Sequence, residues 1–352
     1  MSQTPSVQLG KTRIHVRSIV GWAVSILCLG LIAWNVDLAG AAAAMRDFAW
    51  PFVLLALVGL SFGYAMRIIR WAVMLRATET AVRTGDCAAP FLGSIALNNV
   101  LPLRAGDIVR GTVFPAAIGV PRTTAISSIV MERLLDLLTL VLFLTVGTSV
   151  LRGARLPDWL VEGTIVLAII GAISLLAIFL FSGAIARMLL GQAGRRPEGD
   201  IVGKGLRVAA EFLDGFRHMS APRALGAVFA LSILVWLGES AAFYFVMAGF
   251  GIEQPPIAAL LVMAFVTLST LVPSSPGYVG PFHLAAFSVM ILLGVSEEVA
   301  TSFAVLSHLM VWVPTTVAGG IAMLARPEIF RTARSVQARA AQERDTHDIP
   351  TV

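Results

Sequence analysis

The sequence predicts an all-α polytopic membrane protein with six full spans and two re-entrant helical hairpins, ordered as an inverted-topology repeat. Three observations carry this expectation. The chain of 352 residues is 57% hydrophobic and 13% charged, with a mean hydropathy of +0.84, whereas a soluble domain carries about 25% charged residues. Its Lys and Arg residues gather between apolar runs. Two of those runs are interrupted by the same signature, Pro-x-x-x-Gly, at Pro102–Gly106 and Pro273–Gly277, with the two prolines 171 positions apart. Helix breaks inside a bilayer survive where the freed backbone is buried in protein or lines a wet cavity, and paired breaks in related halves mark transport sites.

The elements follow in order. Residues 1–17 hold Lys11, Arg13 and Arg17 and read as a cytoplasmic N-terminus. The run 18–36 is longer than the apolar region of a signal peptide and further spans follow it, so it reads as an uncleaved first helix. Pro51 opens the second span, 51–73. Segment 88–118, broken at Pro102, reads as the first hairpin, and 123–150 as the third span. The second half repeats the order with 159–182, 223–249, a hairpin at 256–294 broken at Pro273, and 299–325. Pro51 and Pro222, each at the start of a span, are also 171 apart. The membrane domain is thus 18–325, with halves 18–150 and 159–325, and the polar tail 326–352 is expected to be disordered.

Basic residues test this topology. With the N-terminus inside, segments 1–17, 66–122, 183–223 and 326–352 face the cytoplasm and hold 22 of the 26 Lys and Arg residues. That bias fixes the orientation and requires both hairpins to return to their side of entry. In the inner loop 183–222, Leu206, Ala209, Phe212, Leu213 and Phe216 recur at helical spacing. This fits a helix lying on the inner membrane surface, or one covering the spans.

The same distribution argues against nucleic-acid binding despite a net charge of +5, since no recognition motif accompanies it. Gly199–Lys204 reads GDIVGK, one residue short of a phosphate loop, and no metalloprotease helix or nucleophile elbow occurs. Catalytic residues, metal ligands and cofactors are therefore not expected. Cys28 lies at membrane depth, so a disulfide with Cys87 is not expected either.

Three groups of polar residues stand out. Glu132, Arg133 and Asp136 lie in the third span, Glu132 about 15 Å deep at 1.5 Å per residue. An unpaired charge there costs about 2.5–3.5 kcal/mol on insertion scales. They form either an internal ion pair or a polar path and headgroup site. Asn98, Asn99, Arg104, Asp107 and Arg110 flank the first break, where an arginine can grip a phosphate through two parallel hydrogen bonds. Pro273, Ser274, Ser275, Gly277, Tyr278, Gly280 and His283 form the second. Arg67 and Arg70 end the second span and read as snorkelling to the inner headgroups. Glu239 and His308 read as polar contacts between spans or as proton relays.

The run Asn98–Arg110 (NNVLPLRAGDIVR), the run Glu132–Leu137 (ERLLDL) and the run Pro276–Gly280 (PGYVG) together resemble the lysylphosphatidylglycerol synthase transmembrane family, also called the flippase-like domain. The resemblance covers roughly residues 17–325. It implies an all-helical integral membrane unit that moves aminoacylated phospholipid between leaflets, without the soluble domain that attaches the amino acid. This chain has Tyr278 and His283 where the family often has Gly and Glu in P-G-G-x-G-x-x-E, which removes a carboxylate that could meet a cationic headgroup. The PSSPGYVG version also resembles members associated with hopanoid and other isoprenoid lipids. The expectation is a bacterial inner-membrane lipid transporter with both termini cytoplasmic and a membrane lipid as its partner. The rival is a membrane enzyme, or an accessory subunit working with enzymes of isoprenoid-lipid or glycolipid synthesis. A scaffold without turnover is the third reading.

Overall fold

The computed structural model describes residues 21–34, 36–78, 81–150, 158–197 and 200–329. The expected cytoplasmic N-terminus and most of the C-terminal tail lie outside the described residues, which are all-helical and contain no strand.

The first half begins with α1 (Gly21–Trp34), which bends by 88° into α2 (Leu38–Arg46). The expected first span, 18–36, thus holds α1 alone, and α2 is a further helix set at an angle to it. Asp37 sits at the corner and caps α2 by accepting from Ala39 N at 2.9 Å. α3 (Pro51–Arg76) opens on a proline, whose missing N–H costs nothing at a helix start. α4 (Thr84–Val100) and α5 (Ala105–Thr112) form the first hairpin, followed by a 3-10 turn at Phe114–Ala117 and by α6 (Arg122–Val150). The second half runs through α7 (Asp158–Gly194), α8 (Ile201–Met219), α9 (Pro222–Gly249), the hairpin α10 (Pro256–Ser269) and α11 (Pro281–Leu292), and α12 (Glu297–Ala325). Helices α3, α9 and α12 are long and apolar enough to cross a bilayer, and the α1–α2 pair would make a fourth such element.

One boundary differs from expectation. α7 continues 12 residues beyond the expected span end at 182. Segment 183–222 is largely helical, and α8 covers the bundle: Phe216 and Met219 are buried, and Ser127 Oγ on α6 donates to the Phe212 carbonyl at 2.8 Å.

The breaks arise from proline chemistry. A residue before proline is pushed out of the helical region. Leu101, before Pro102, is extended at φ −98°, ψ 147° and ends α4. Ser275, before Pro276, is extended at φ −59°, ψ 161°. Pro281 then restarts a helix as the first residue of α11.

Both broken segments double back. In the first, a Cβ on Gly106 would lie 1.8 Å from the Ser94 carbonyl oxygen, so only glycine permits α5 to return along α4. Asn98 locks the turn, accepting from Asp107 N at 3.1 Å and donating to Asp107 Oδ1 at 3.0 Å. In the second, Gln254 before α10 donates to the Leu293 carbonyl after α11 at 3.1 Å.

Glycines also set the contacts between halves. α3 and α9 run antiparallel so closely that a Cβ on Gly238 would meet Gly63 N at 2.7 Å and Gly59 O at 2.8 Å. Small residues permit such approach where lipid removes the hydrophobic drive for helices to associate. Four further pairings also cross between the halves. α4 packs on α12 and α10 packs on α6; α2 packs on α12 and α8 packs on α6.

Candidate functional site

The two breaks meet. Arg104, between Pro102 and α5, donates through Nη2 to the Thr270 carbonyl at the end of α10, at 3.3 Å. Its guanidinium carbon lies 5.6 Å from the Tyr278 ring centroid. Trp312 of α12 donates to the Asn99 carbonyl at 3.3 Å, and a Cβ on Gly277 would touch both that indole and that carbonyl. Asn99 Nδ2 reaches Thr315 and Thr316 Oγ1 at 3.0 and 2.9 Å. The first break is thereby tied to the second half of the chain.

Beside this junction lies a cavity of about 380 Å³, within the range of small-molecule sites. Its walls come from both breaks (Asn98, Asn99 and Arg104; Thr270, Leu271, Gly277 and Tyr278), from α3 (Tyr64, Arg67), α6 (Arg133, Asp136), α9 (Trp236, Glu239) and α12 (His308, Trp312).

Behind and along one wall stand four arginine–carboxylate pairs. Arg67 binds Glu239, with Nε to Oε1 at 3.1 Å, and lies 4.3 Å from the Trp236 ring centroid. Arg70 donates to Asp136 Oδ1 at 2.7 Å and to Ser232 Oγ at 2.8 Å. Arg110 grips both oxygens of Glu132 at 3.1 Å, its guanidinium 4.7 and 5.4 Å from the ring centroids of Phe91 and Trp71. Arg133 donates to Asp107 Oδ2 at 2.7 Å. Such pairs repay the cost of removing charge from water only when hydrogen bonds and packing complete them. The sharing is wider than four couples, since Arg133 also lies 3.6 Å from Asp136 and 3.9 Å from Glu132.

The candidates from sequence therefore separate. Asn98, Asn99, Arg104, Arg133 and Asp136 line the cavity. Arg110 and Glu132 do not: their side chains are 0% and 2% exposed and face each other behind the wall. Asp107 stands between them and Arg133 as the brace of the first hairpin. Of the second group, Gly277 and Tyr278 line the cavity. Pro273 is exposed, and Ser275 turns away from the cavity, its N–H donating to Ser25 Oγ of α1 at 3.0 Å. Ser274 and Gly280 also face α1, at Gly21 and Ser25. His283 accepts from Gly280 N at 3.5 Å and its ring centroid lies 4.6 Å from that of His308, which binds the Gly277 carbonyl at 2.8 Å.

Arg67 and Arg70 do not snorkel. They are 7% and 0% exposed and belong to the ion-pair network. The signal was available in register: Arg67 precedes the end of α3 by nine residues, about 13 Å at 1.5 Å per residue, and Arg70 shares its face three residues on. Glu239 and His308 each meet a partner from another element, and both also line the cavity. Tyr64, Trp236 and Trp312 were not singled out from the sequence, where an apolar-flanked aromatic carries no mark of the cavity it faces.

A family profile described as "Lysylphosphatidylglycerol synthase TM region" matches residues 18–319. Among curated proteins, the chain is 24% identical to "Glycosyltransferase AglD" of Haloferax volcanii over 94% of its own length and 58% of that protein. It is 28% identical to a "UPF0104 membrane protein" of Methanothermobacter thermautotrophicus over 34% of this chain and 36% of that one. It is 22% identical to "UPF0104 membrane protein PH1989" of Pyrococcus horikoshii over 79% of this chain and 88% of that one. The chain thus spans little more than half of the first of these relatives and about a third of the second.

Proposed function

The chain belongs to the lysylphosphatidylglycerol synthase transmembrane family, a multi-pass membrane family, and from that premise we propose that it moves a phospholipid or related lipid between leaflets. One observation carries the reading: two proline-broken hairpins from distant parts of the chain meet at a cavity holding charged side chains between long apolar helices. Unwound backbone and paired charge at membrane depth are the materials of a transport site. The headgroup enters the cavity, Arg104 and Arg133 hold it, and the acyl chains stay in the bilayer.

The proposal includes the topology. Helices α1–α6 and α7–α12 form inverted halves, with α4–α5 and α10–α11 as re-entrant hairpins and both termini in the cytoplasm. The exchange of partners supports it: each half's hairpin packs on the last helix of the other half. No nucleotide site enters the scheme, so movement runs downhill or is coupled to an ion. The membrane is the inner, or plasma, membrane of the cell.

The test is the full chain reconstituted in liposomes with a fluorescent phospholipid in both leaflets and an impermeant quencher outside. Leaflet exchange above that of empty liposomes, reduced at least tenfold in Arg133→Ala, supports the reading. Exchange no faster than in empty liposomes rejects it.

A second reading is kept because 94% of the chain aligns with a protein named as a glycosyltransferase. In it, the membrane unit presents a lipid carrier to an enzyme of glycolipid synthesis. Glycolipid formed from a lipid donor without leaflet exchange would favour that role.

A further inference from the structure

We infer that the cavity selects a headgroup with one net negative charge, a phosphodiester, and that Arg104 sets this preference; the inference rests on the lipid reading of the cavity. The four arginines of the network, three of them buried, are matched by four carboxylates. Arg104 is the fifth arginine, and among the described residues no carboxylate lies within ion-pair distance of it. Five arginines against four carboxylates give the cluster a formal charge of +1. In a medium of low dielectric a net charge is far costlier than in water. A monoanion brings the sum to zero. A zwitterion leaves it at +1, and a phosphomonoester dianion overshoots to −1.

The geometry fits the same ligand. Arg104 is held at φ 52°, ψ 43°, a left-handed conformation that directs its side chain across the break rather than along a helix. Only Nη2 is engaged, by the Thr270 carbonyl, and the ring face of Tyr278 lies beside the guanidinium. A guanidinium has five N–H donors, and two parallel ones match a phosphate edge. On the wall of the same cavity Arg133 is 36% exposed although already paired, so it offers a second donor without adding uncompensated charge.

A lipid source, rather than free phosphate, follows from the tips themselves. Val100 and Leu101 on one break and Leu271 and Val272 on the other are 56%, 39%, 61% and 45% exposed. Apolar tips beside a charged cavity suit a molecule with a polar end and hydrocarbon tails.

The experiment measures binding, so that it stands apart from translocation. The full chain in dodecyl maltoside is titrated calorimetrically at pH 8.5 with dihexanoyl phosphatidylglycerol, dihexanoyl phosphatidylcholine, dihexanoyl phosphatidic acid and tail-free glycerophosphoglycerol. Phosphatidic acid, a phosphomonoester like phosphoserine, whose second ionisation lies near pH 6, is largely dianionic there. Phosphatidylglycerol is expected to bind at least tenfold more tightly than each of the other three. Arg104→Asn, neutral and tolerant of left-handed backbone, removes its advantage over phosphatidylcholine, and Arg104→Lys keeps it. Leu271→Glu, which adds a carboxylate to the cavity wall and leaves Arg104 intact, removes it too. Equal binding of the three lipids, or an advantage that survives both Arg104→Asn and Leu271→Glu, overturns the charge rule. Equal binding of glycerophosphoglycerol overturns the lipid assignment. Phosphatidylglycerol binding without leaflet exchange would leave this inference standing and reject the transport reading alone.

Discussion

Arg104 and Tyr278 lie on opposite breaks, and they are the only two non-glycine residues with positive φ among the described residues, at 52° and 60°. They also touch, guanidinium carbon to ring centroid at 5.6 Å. Left-handed backbone costs a side-chain-bearing residue roughly 1–2 kcal/mol. That two such positions meet, one from each hairpin, ties backbone strain to the cavity wall, where strain in folded proteins tends to collect.

Tyr278→Phe should keep this contact and leave leaflet exchange within about twofold of wild type. Tyr278→Ala removes the ring and should lower stability by about 0.5–2 kcal/mol, the range of a cation–π contact from exposed to desolvated settings. Thermal unfolding in detergent, alongside the exchange assay, checks both. Equal losses in the two variants would mean that the hydroxyl, not the ring face, matters.

Arg70→Leu takes from Asp136 its nearest cation, leaving it Arg133 at 3.6 Å and the Trp236 indole N–H at 3.2 Å, and should cost up to the roughly 3–5 kcal/mol of breaking a buried pair. Adding Asp136→Leu should recover much of that loss. Arg70 does not line the cavity, whereas Asp136 does. A double variant no more stable than Arg70→Leu alone would show that the pair is not the source of the cost.

Gly106→Ala should separate α5 from α4, because the new Cβ would fall on the Ser94 carbonyl. Overpacking of this kind typically costs about 1–3 kcal/mol, and leaflet exchange should fall with the displaced Arg104. Gly205→Ala is the matched control. It sits in α8 with nothing within 4 Å of its Cβ position and should raise stability by up to about 1 kcal/mol through helix propensity. Melting temperatures of the two variants should move in opposite directions.

The topology makes a separate claim. In a Cys28→Ala/Cys87→Ala background, single cysteines at Arg83 and Pro121 flank the first hairpin, and those at Glu253 and Glu297 flank the second. An impermeant maleimide on oriented vesicles should label the first two from the cytoplasmic face and the second two from the opposite face. Labelling of Arg83→Cys and Pro121→Cys from different faces would turn the first hairpin into a crossing.

At the surface, Asp200 caps α8 through Val202 N and Gly203 N. The Arg196 guanidinium, hydrogen-bonded to its carboxylate, holds it below the usual aspartate range, with the two backbone N–H groups adding to the effect. A depressed folded value means that the cap is fully present above the unfolded value of about 3.9 and is lost as pH falls through the folded one. Amide exchange at Val202 and Gly203 should therefore be faster in Asp200→Ala than in wild type near neutral pH. The two should converge only below about pH 3.9.

The helical class and the breaks were legible because both follow from local chemistry: long apolar runs, and prolines that force their preceding residues out of helix. The first break's cavity-lining residues Asn98, Asn99 and Arg104 could be picked out for the same reason, lying within six residues of Pro102. What sequence left hidden depends on depth and facing. Arg67 and Arg70 looked like ends of a span because counting basic residues assigns a side, not a depth. Arg110 looked like a headgroup ligand, yet the aromatic faces of Trp71 and Phe91 enclose it, and those residues are remote along the chain. Ser274 and Ser275 looked equivalent to Tyr278, but α1 lies against them, and no local pattern announces which side of a short turn a distant helix will cover.

That placement of α1 has a mechanical consequence. Ser25 accepts the Ser275 N–H and donates to the Val279 carbonyl at 2.7 Å, while the Cα of Gly280 lies close enough to Ser25 to exclude any side chain. The N-terminal helix is thus geared to the second hairpin. If that hairpin rocks during a turnover cycle, α1 must either ride with it or let go of the two backbone groups that Ser25 holds. A pull on α1 would then be felt some 250 residues downstream.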